Sequence, residues 1–280
     1  PNADYYYNTV EYIHICLGNQ KFDGIFHLGA ASRVQPSFEN PNQTFRYNVS
    51  GTEAVCEFAR ENKIPKIVYA GSSSKWHNPS DSPYAMYKYI GEEVCKLYKQ
   101  TFGMDVEIAR FYNVYGDGES VDSKWGSVIG IWRSQVNENK PITIVGDGEQ
   151  KRSFSDVRDC IVAVERIMKS FRTDLSGQVY NIGPDDNEMS IIQLATLVSQ
   201  LSEIYLQFDH YPDRPREVKD AYCSSDKIRK EFNYNPTTEA KQTIKDMVDW
   251  IKPITREFEY HLPVELVTDQ TPKTWTDRLI

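Results

Sequence analysis

The 280-residue sequence has no apolar run near 18 residues, no signal-peptide pattern and no low-complexity tract, so it reads as a soluble, cytoplasmic protein with no membrane partner. Its five cysteines, at 16, 56, 95, 160 and 223, are odd in number and scattered, with no spacing for zinc or for a disulfide framework, which fits a reducing compartment. Positive charge is short: 32 Lys and Arg against 40 Asp and Glu leave a net charge of −8 and a pI near 5.3. That balance argues against general binding to nucleic acid or an anionic membrane and leaves room for a local basic pocket for a phosphate. The five histidines, at 14, 27, 77, 210 and 261, show no ligand spacing, so no metal site is expected; His77 stands out only for its place just beyond a serine run. No internal repeat is visible. The chain opens Pro1-Asn2-Ala3-Asp4 without an initiator Met, and upstream sequence is expected.

What is present alternates between two periods. Phe22 to Leu28 reads as a buried strand that ends on the small run Gly29-Ala30-Ala31-Ser32. Phe45, Val49, Ala54, Val55, Phe58 and Ala59 recur at helical spacing between Asn40 and Asn62, and a second strand, Lys66 to Ala70, follows Pro65. Pro83 suits the first turn of a helix running to about Phe102, after which Val106 to Arg110 reads as a third strand. Such alternation predicts a parallel sheet covered by helices, with the Gly-Ala-Ala run and Ser72-Ser73-Ser74 at carboxyl ends of strands, where open α/β sheets place ligands. Beyond Gly116 the pattern predicts a smaller α/β lobe. It holds helices near Val128 to Val136, Val157 to Met168, Ser190 to Leu201 and Glu239 to Ile251, and strands at Ile142 to Val145 and Gln178 to Ile182. The division is therefore 1–116 for the main domain, 117–252 for a lobe with segments returning to it, and 253–280 for a polar tail with scattered aromatics.

Tyr84 and Lys88, four apart on a helix, share one face. A nearby ammonium lowers a phenol's pKa toward a value useful for taking a proton from an alcohol, and a serine at a neighbouring strand end can orient that alcohol. The spacing alone is cheap: among 18 tyrosines it is expected about once by chance. Its neighbours in order make the case. Phe26-His-Leu-Gly-Ala-Ala31, Asn48-Val-Ser-Gly-Thr52, Ser72-Ser-Ser74 with Pro83-Tyr84-x-x-x-Lys88, Arg110-Phe-Tyr-Asn113-Val-Tyr-Gly116, Gly146-Asp-Gly-Glu-Gln-Lys-Arg152, Tyr180-Asn-Ile-Gly183 and Arg214-Pro-Arg-Glu217-Val form one series. On these motifs, from about Phe22 to Ile251, the chain resembles the extended short-chain dehydrogenase/reductases, in particular the nucleotide-sugar epimerases of the UDP-glucose 4-epimerase type.

That resemblance implies a Rossmann-like parallel sheet flanked by helices, NAD as cofactor, a UDP-linked sugar as substrate and a homodimer built on the helices Asn42 to Asn62 and Pro83 to Phe102, with Tyr87, Val94, Leu97 and Tyr98 as interface or core residues. It implies Tyr84 as acid/base, Lys88 on the nicotinamide ribose and tuning Tyr84, and Ser74 on the reacting sugar oxygen. Gly29, Ala30, Ala31 and Asn48 would lie on the cofactor side. Asn113, Arg152 and Arg214 would meet the diphosphate, Glu217 the nucleoside ribose, and Thr143 and Val145 would flank the base. The bland alternatives are surface ion-pair roles for Arg110 and Arg152, and helix capping or packing for Asn48.

The chain also departs from the family. Dehydratases follow the strand-end serine or threonine with Asp-Glu; Lys75-Trp76 stand here, supply no carboxylate, and favour epimerisation over 4,6-dehydration. The loop from Lys75 to Ser82 is short, which implies an altered sugar pocket. The strand, Gly-x-x-Gly-x-x-Gly turn and helix that cradle the dinucleotide pyrophosphate are missing from the sequence. The expectation is a sheet lacking its N-terminal β-α-β, short of strands at its centre, with apolar surface uncovered and weak or no NAD binding by the chain alone. Partial gene, split protein and true loss all fit. The alternatives to an active NAD-dependent epimerase are an inactive sugar-nucleotide-binding or assembly protein and a related reductase or dehydratase.

Overall fold

The structure is a computed structural model that describes residues 3–76, 78–116, 119, 126–170, 177–185, 188–202, 207–213, 220–221, 224–238, 242 and 244–246. A short 3₁₀ turn, Val10–Tyr12, leads into α1 (Ile13–Leu17), a segment without a sequence signal of its own. Then come β1 (Ile25–His27), α2 (Val34–Glu39), α3 (Pro41–Phe45), a π-helical turn (Arg46–Ser50), α4 (Gly51–Glu61), β2 (Lys66–Ser72), α5 (Pro83–Phe102) and β3 (Asp105–Phe111). β4 (Val114–Tyr115), α6 (Val128–Asn137), β5 (Ile142–Val145), β6 (Lys151–Ser153), β7 (Ser155–Asp156), α7 (Val157–Lys169) and β8 (Val179–Ile182) follow. The last described elements are β9 (Glu188–Ser190), α8 (Ile191–Ser202), β10 (Phe208–Tyr211), β11 (Asp220–Ala221) and α9 (Asp226–Phe232). The expected helix Glu239 to Ile251 and the tail from Pro253 fall almost entirely outside the described residues.

The main sheet is parallel, in the order β1-β2-β3-β8. Alternation along each strand divides its two faces. Ile67, Tyr69, Val106 and Ile108 meet Phe58 and Cys95 of α4 and α5, while Val68, Ala109, Tyr180 and Ile182 meet Ala163 and Ile167 of α7. Each layer is a closed apolar cluster, so the sheet is covered on both sides as its continuous apolar strands require. The ladder has no gap at its centre, contrary to expectation. Its open side is β1, which pairs only with β2 among the described residues and leaves Phe26 46% and Leu28 54% exposed.

α5 follows its sequence signals closely. Ser82 caps it by accepting from Ala85 N at 3.1 Å, Pro83 fills the first turn, and Gly103 closes it in the left-handed region at φ 68°. Of the expected interface residues, Tyr98 belongs to the core, its hydroxyl donating to Glu53 and Glu57, and Tyr87 packs edge-on to Phe45. Leu97 is 55% exposed. The smaller lobe has its own core, in which Trp132 of α6, Ile142 and Ile144 of β5, Phe154 and Leu194 of α8 meet Tyr115. Paired β5 and β10, and the three strands β11-β6-β9, extend it.

Candidate active site

Three chain segments converge at the carboxyl end of the main sheet. β2 ends at Ser72 and turns through Ser73–Trp76; α5 presents Tyr84 in its first turn and Lys88 one turn later; α2 pins that first turn, its Ser37 hydroxyl accepting from Tyr84 N at 3.1 Å. The Tyr84 hydroxyl donates to Ser72 Oγ at 3.3 Å, and Ser74 Oγ donates to the same oxygen at 2.9 Å. Ser72, not Ser74, is therefore the serine in direct contact with the tyrosine. Ser74 is one hydroxyl further out, its N–H also donating to Ser72 Oγ at 3.2 Å. A 3.3 Å contact is long for two hydroxyls, so this bond is weaker than the 2.9 Å one from Ser74.

Lys88 is buried, donates from Nζ to the Ala70 carbonyl at 2.9 Å and lies 5.1 Å from the Tyr69 ring centre. Burial brings its pKa down to about 8, opposed by Cys95 and Glu92. Tyr84 departs from the sequence expectation: burial pushes its pKa up, and the groups that oppose burial are the Ser72 hydroxyl and the Arg33 guanidinium. Two charged neighbours thus escaped the sequence reading. Arg33 directly follows the Gly-Ala-Ala-Ser run; Glu119, whose charge acts on Arg33, comes from a loop well downstream and accepts from Ser127 N at 2.8 Å. Adjacency to the small run was a usable signal for Arg33. Glu119 had none, because only the fold brings it near.

The strand-end loop is held from the side. A π-helical turn breaks the long helix and points buried Asn48 at the loop, where its Oδ1 accepts from Ala31 N at 2.7 Å and its Nδ2 donates to Ala31 O at 3.0 Å. Asn48 is thus a clamp on the backbone beside Ala30 and Ala31. Thr52, one turn on, meets His27 Nε2 at 3.0 Å, and burial with Lys88 brings the His27 pKa down to about 3, so that ring is neutral. Gly29 gives room to Val10: a Cβ on Gly29 sits 3.0 Å from a Val10 methyl. Gly91 lets α5 approach, since a Cβ there would collide with the Tyr69 hydroxyl. Arg110 is no surface residue. It is buried against Glu92 in a two-pronged pair, with Nε donating to Oε1 at 2.8 Å, and a side chain at Gly71 fills that space.

The residues expected on the nucleotide side belong to the lobe and its junction. Asn113, in the left-handed region at φ 36°, donates from Nδ2 to Ser153 O at 2.9 Å, and Arg152, part-buried on β6, donates to Lys151 O at 2.7 Å. Thr143 exchanges two 3.0 Å bonds with the Gln135 amide, and Val145 O accepts from Gln150 Nε2 at 3.0 Å, so both strand positions are wired to their neighbours. Arg214 and Glu217, like His77, lie outside the described residues. Among the described residues no cluster of three or more His, Cys, Asp or Glu could hold a metal ion. The structure assembles Ser72, Ser74, Tyr84 and Lys88 at the end of β2, and Asn48 with Ala31 beyond the end of neighbouring β1.

Residues 11–183 match the NAD dependent epimerase/dehydratase family, more than half the chain. An uncharacterized UDP-glucose epimerase of Bacillus subtilis is 28% identical over 242 residues, spanning 82% of this chain and 74% of that protein. A UDP-glucuronate 4-epimerase of Thermodesulfobacterium geofontis is 27% identical, spanning 81% and 72%. The crystal structure of a UDP-glucuronic acid 4-epimerase from Bacillus cereus, in complex with UDP-glucuronic acid and NAD, superposes with a TM-score of 0.76 at 24% identity over 87% of this chain and 77% of that one. With its strand-end serines, its tyrosine and lysine one turn apart and this sheet order, the chain belongs to the NAD-dependent epimerase/dehydratase family, on the nucleotide-sugar epimerase branch of the extended short-chain dehydrogenase/reductases.

Proposed function

We propose that this chain carries the catalytic centre and the sugar-nucleotide side of an NAD-dependent UDP-hexose 4-epimerase. The observation that carries the reading is the hydroxyl relay Tyr84–Ser72–Ser74 at the end of β2, with buried Lys88 one turn beyond Tyr84. NAD held there would supply hydride exchange at the sugar carbon. The protein's part is the proton. Tyr84 removes it from the C4 hydroxyl and returns it to O4 of the transient 4-keto sugar, whose other face takes the hydride back at C4, with Ser72 and Ser74 orienting the oxygen.

The residues fit the nicotinamide end of the cofactor. The Lys88 ammonium spends one of its three donors on Ala70 O and keeps the others for ribose hydroxyls, and Asn48 fixes the backbone at Ala31. They do not fit its pyrophosphate end, since no Gly-x-x-Gly-x-x-Gly turn occurs in these 280 residues. NAD binding by these residues alone is therefore weak, and micromolar binding in calorimetry overturns that point. Arg152, Arg214 and Asn113 supply the charge and amide for the diphosphate, Glu217 meets the ribose, and Thr143 with Val145 flanks the base. A homodimer on α4 and α5 and a cytoplasmic location complete the reading; no described helix is long and apolar enough to cross a membrane. The test is interconversion of UDP-glucose and UDP-galactose with NAD at millimolar concentration, the chain being assayed as it stands and with a glycine-turn β-α-β segment added. The added segment raises turnover, and Tyr84→Phe lowers it by about a hundredfold or more. An active wild type with a harmless Tyr84→Phe contradicts the assignment.

A further inference from the structure

Hydrogen bonds join the loop after β1 to the π-helical turn in an order that leaves each donor no choice. A backbone N–H only donates and a backbone carbonyl only accepts, so Ala31 fixes the Asn48 carboxamide: Oδ1 accepts from Ala31 N at 2.7 Å and Nδ2 donates to Ala31 O at 3.0 Å. The Asn48 carbonyl likewise fixes Thr52, whose hydroxyl donates to it at 2.8 Å. With its single proton spent there, Thr52 Oγ1 accepts from His27 Nε2, 3.0 Å away. His27 therefore carries its ring proton on Nε2. The ring is buried and its pKa is held down to about 3, so Nδ1 stays bare. His27 ends β1 and Ala31 lies just beyond it, while Asn48 and Thr52 sit one turn apart on the helix. The bonds thus close a ring around the span Leu28 to Ala30, of which Leu28 and Gly29 are exposed.

We propose that Thr52 and His27 are positioning residues for this span: they fix the turn that carries the Asn48 carboxamide and so set where the exposed backbone from Leu28 to Ala30 stands. The proposal rests on the reading of that backbone as the nicotinamide side of the site. It also accounts for the break in the helix. In the π-helical turn the Gly51 N–H reaches past its usual partner to Arg46 O, and the turn leaves the regular ladder. Side chains hold it instead. The Thr52 hydroxyl ties the Asn48 carbonyl from the next turn, and the His27 ring ties Thr52 to the end of β1. Gly91 of α5 closes the other side, where a Cβ would fall 3.1 Å from Asn48 O. Valine in place of Thr52 keeps the shape and loses both bonds; serine keeps both.

The experiment uses the full chain, labelled with ¹⁵N, and reads three quantities: which ring nitrogen of His27 carries the proton, by NMR at neutral pH; the hydrogen-exchange rate of the Ala31 amide; and NAD affinity, by titration into the millimolar range. In the wild type the proton is on Nε2. Thr52→Val speeds Ala31 exchange by about tenfold, the loss of a buried hydrogen bond, with the amides of β3 unchanged, and weakens NAD affinity by a similar factor. Thr52→Ser holds both near wild type. A ring protonated on Nδ1 in the wild type overturns the proposal. So does Ala31 exchange that is unchanged in Thr52→Val, equally fast in the Val and Ser variants, or accelerated together with β3, which marks a general loss of stability. Tautomer and exchange decide the positioning without turnover or cofactor. The NAD titration decides whether the positioned span serves the cofactor, so the two readings fail separately.

Discussion

Two hydroxyls converge on Ser72 Oγ, and that convergence separates three serines that look alike in the sequence. Ser72 is the last residue of β2 and inherits the strand's fixed direction, while Ser73 and Ser74 already belong to the turn. Ser72→Ala removes the acceptor of the Tyr84 proton and should cut turnover by about tenfold with little change in apparent substrate affinity. Ser74→Ala, one hydroxyl further from the phenol, should act mainly on substrate affinity. Steady-state kinetics on the two variants distinguishes them, and the reverse pattern restores Ser74 as the partner of Tyr84. Periodicity placed Tyr84 and Lys88 on one helix face, and they are there. It could not say which way the ammonium turns, because that depends on the Ala70 carbonyl and the Tyr69 ring meeting it from a strand well before it in the chain.

At the scale of elements, α5 was legible from Pro83 to about Phe102 because its ends are set by local chemistry, which the structure completes with the Ser82 and Gly103 caps. The long helix before β2 was legible only as one stretch. Its apolar stripe runs through, but Asn48 sits in a π-helical turn whose purpose, holding Ala31, is a tertiary contact without a sequence period. Arg110 shows the same limit. It reads as an exposed end-of-strand charge until α5 lays Glu92 over it in the space left by Gly71. Breaking such a buried pair on one side costs more than removing both partners. Glu92→Leu should destabilise the fold by roughly 3–5 kcal/mol in urea denaturation, and Glu92→Leu with Arg110→Met should recover most of that loss. Equal losses in the single and double variants contradict a mutually neutralising pair.

For the whole molecule, the two sheet ends carry opposite duties. The carboxyl end holds the site; the amino end buries a charged group that the site does not use. Glu107 on β3 is fully buried, accepts from Gln178 N at 3.1 Å, and burial raises its pKa to about 8 against the help of Lys66 and Lys227. A carboxyl that ionises near pH 4.5 unfolded and near 8 folded leaves the native state holding the extra proton between those values. Its contribution to stability is therefore present at low pH and lost as pH rises through that window. Glu107→Gln should flatten the difference in unfolding free energy between pH 5 and pH 8 relative to wild type. An identical pH dependence in both proteins removes Glu107 as its source. Fold class and the parallel sheet followed from the alternation of strand and helix. The open edge at β1 did not, because a strand's place in a sheet is set by pairing and not by its own residues. The central claim, that Tyr84 moves only the hydroxyl proton while the C4 hydrogen travels as hydride, is tested most directly with a UDP-hexose deuterated at C4, in ordinary water with NAD. The account predicts that the epimer keeps its deuterium and that Tyr84→Phe stops its formation; replacement of the C4 deuterium by solvent hydrogen contradicts it.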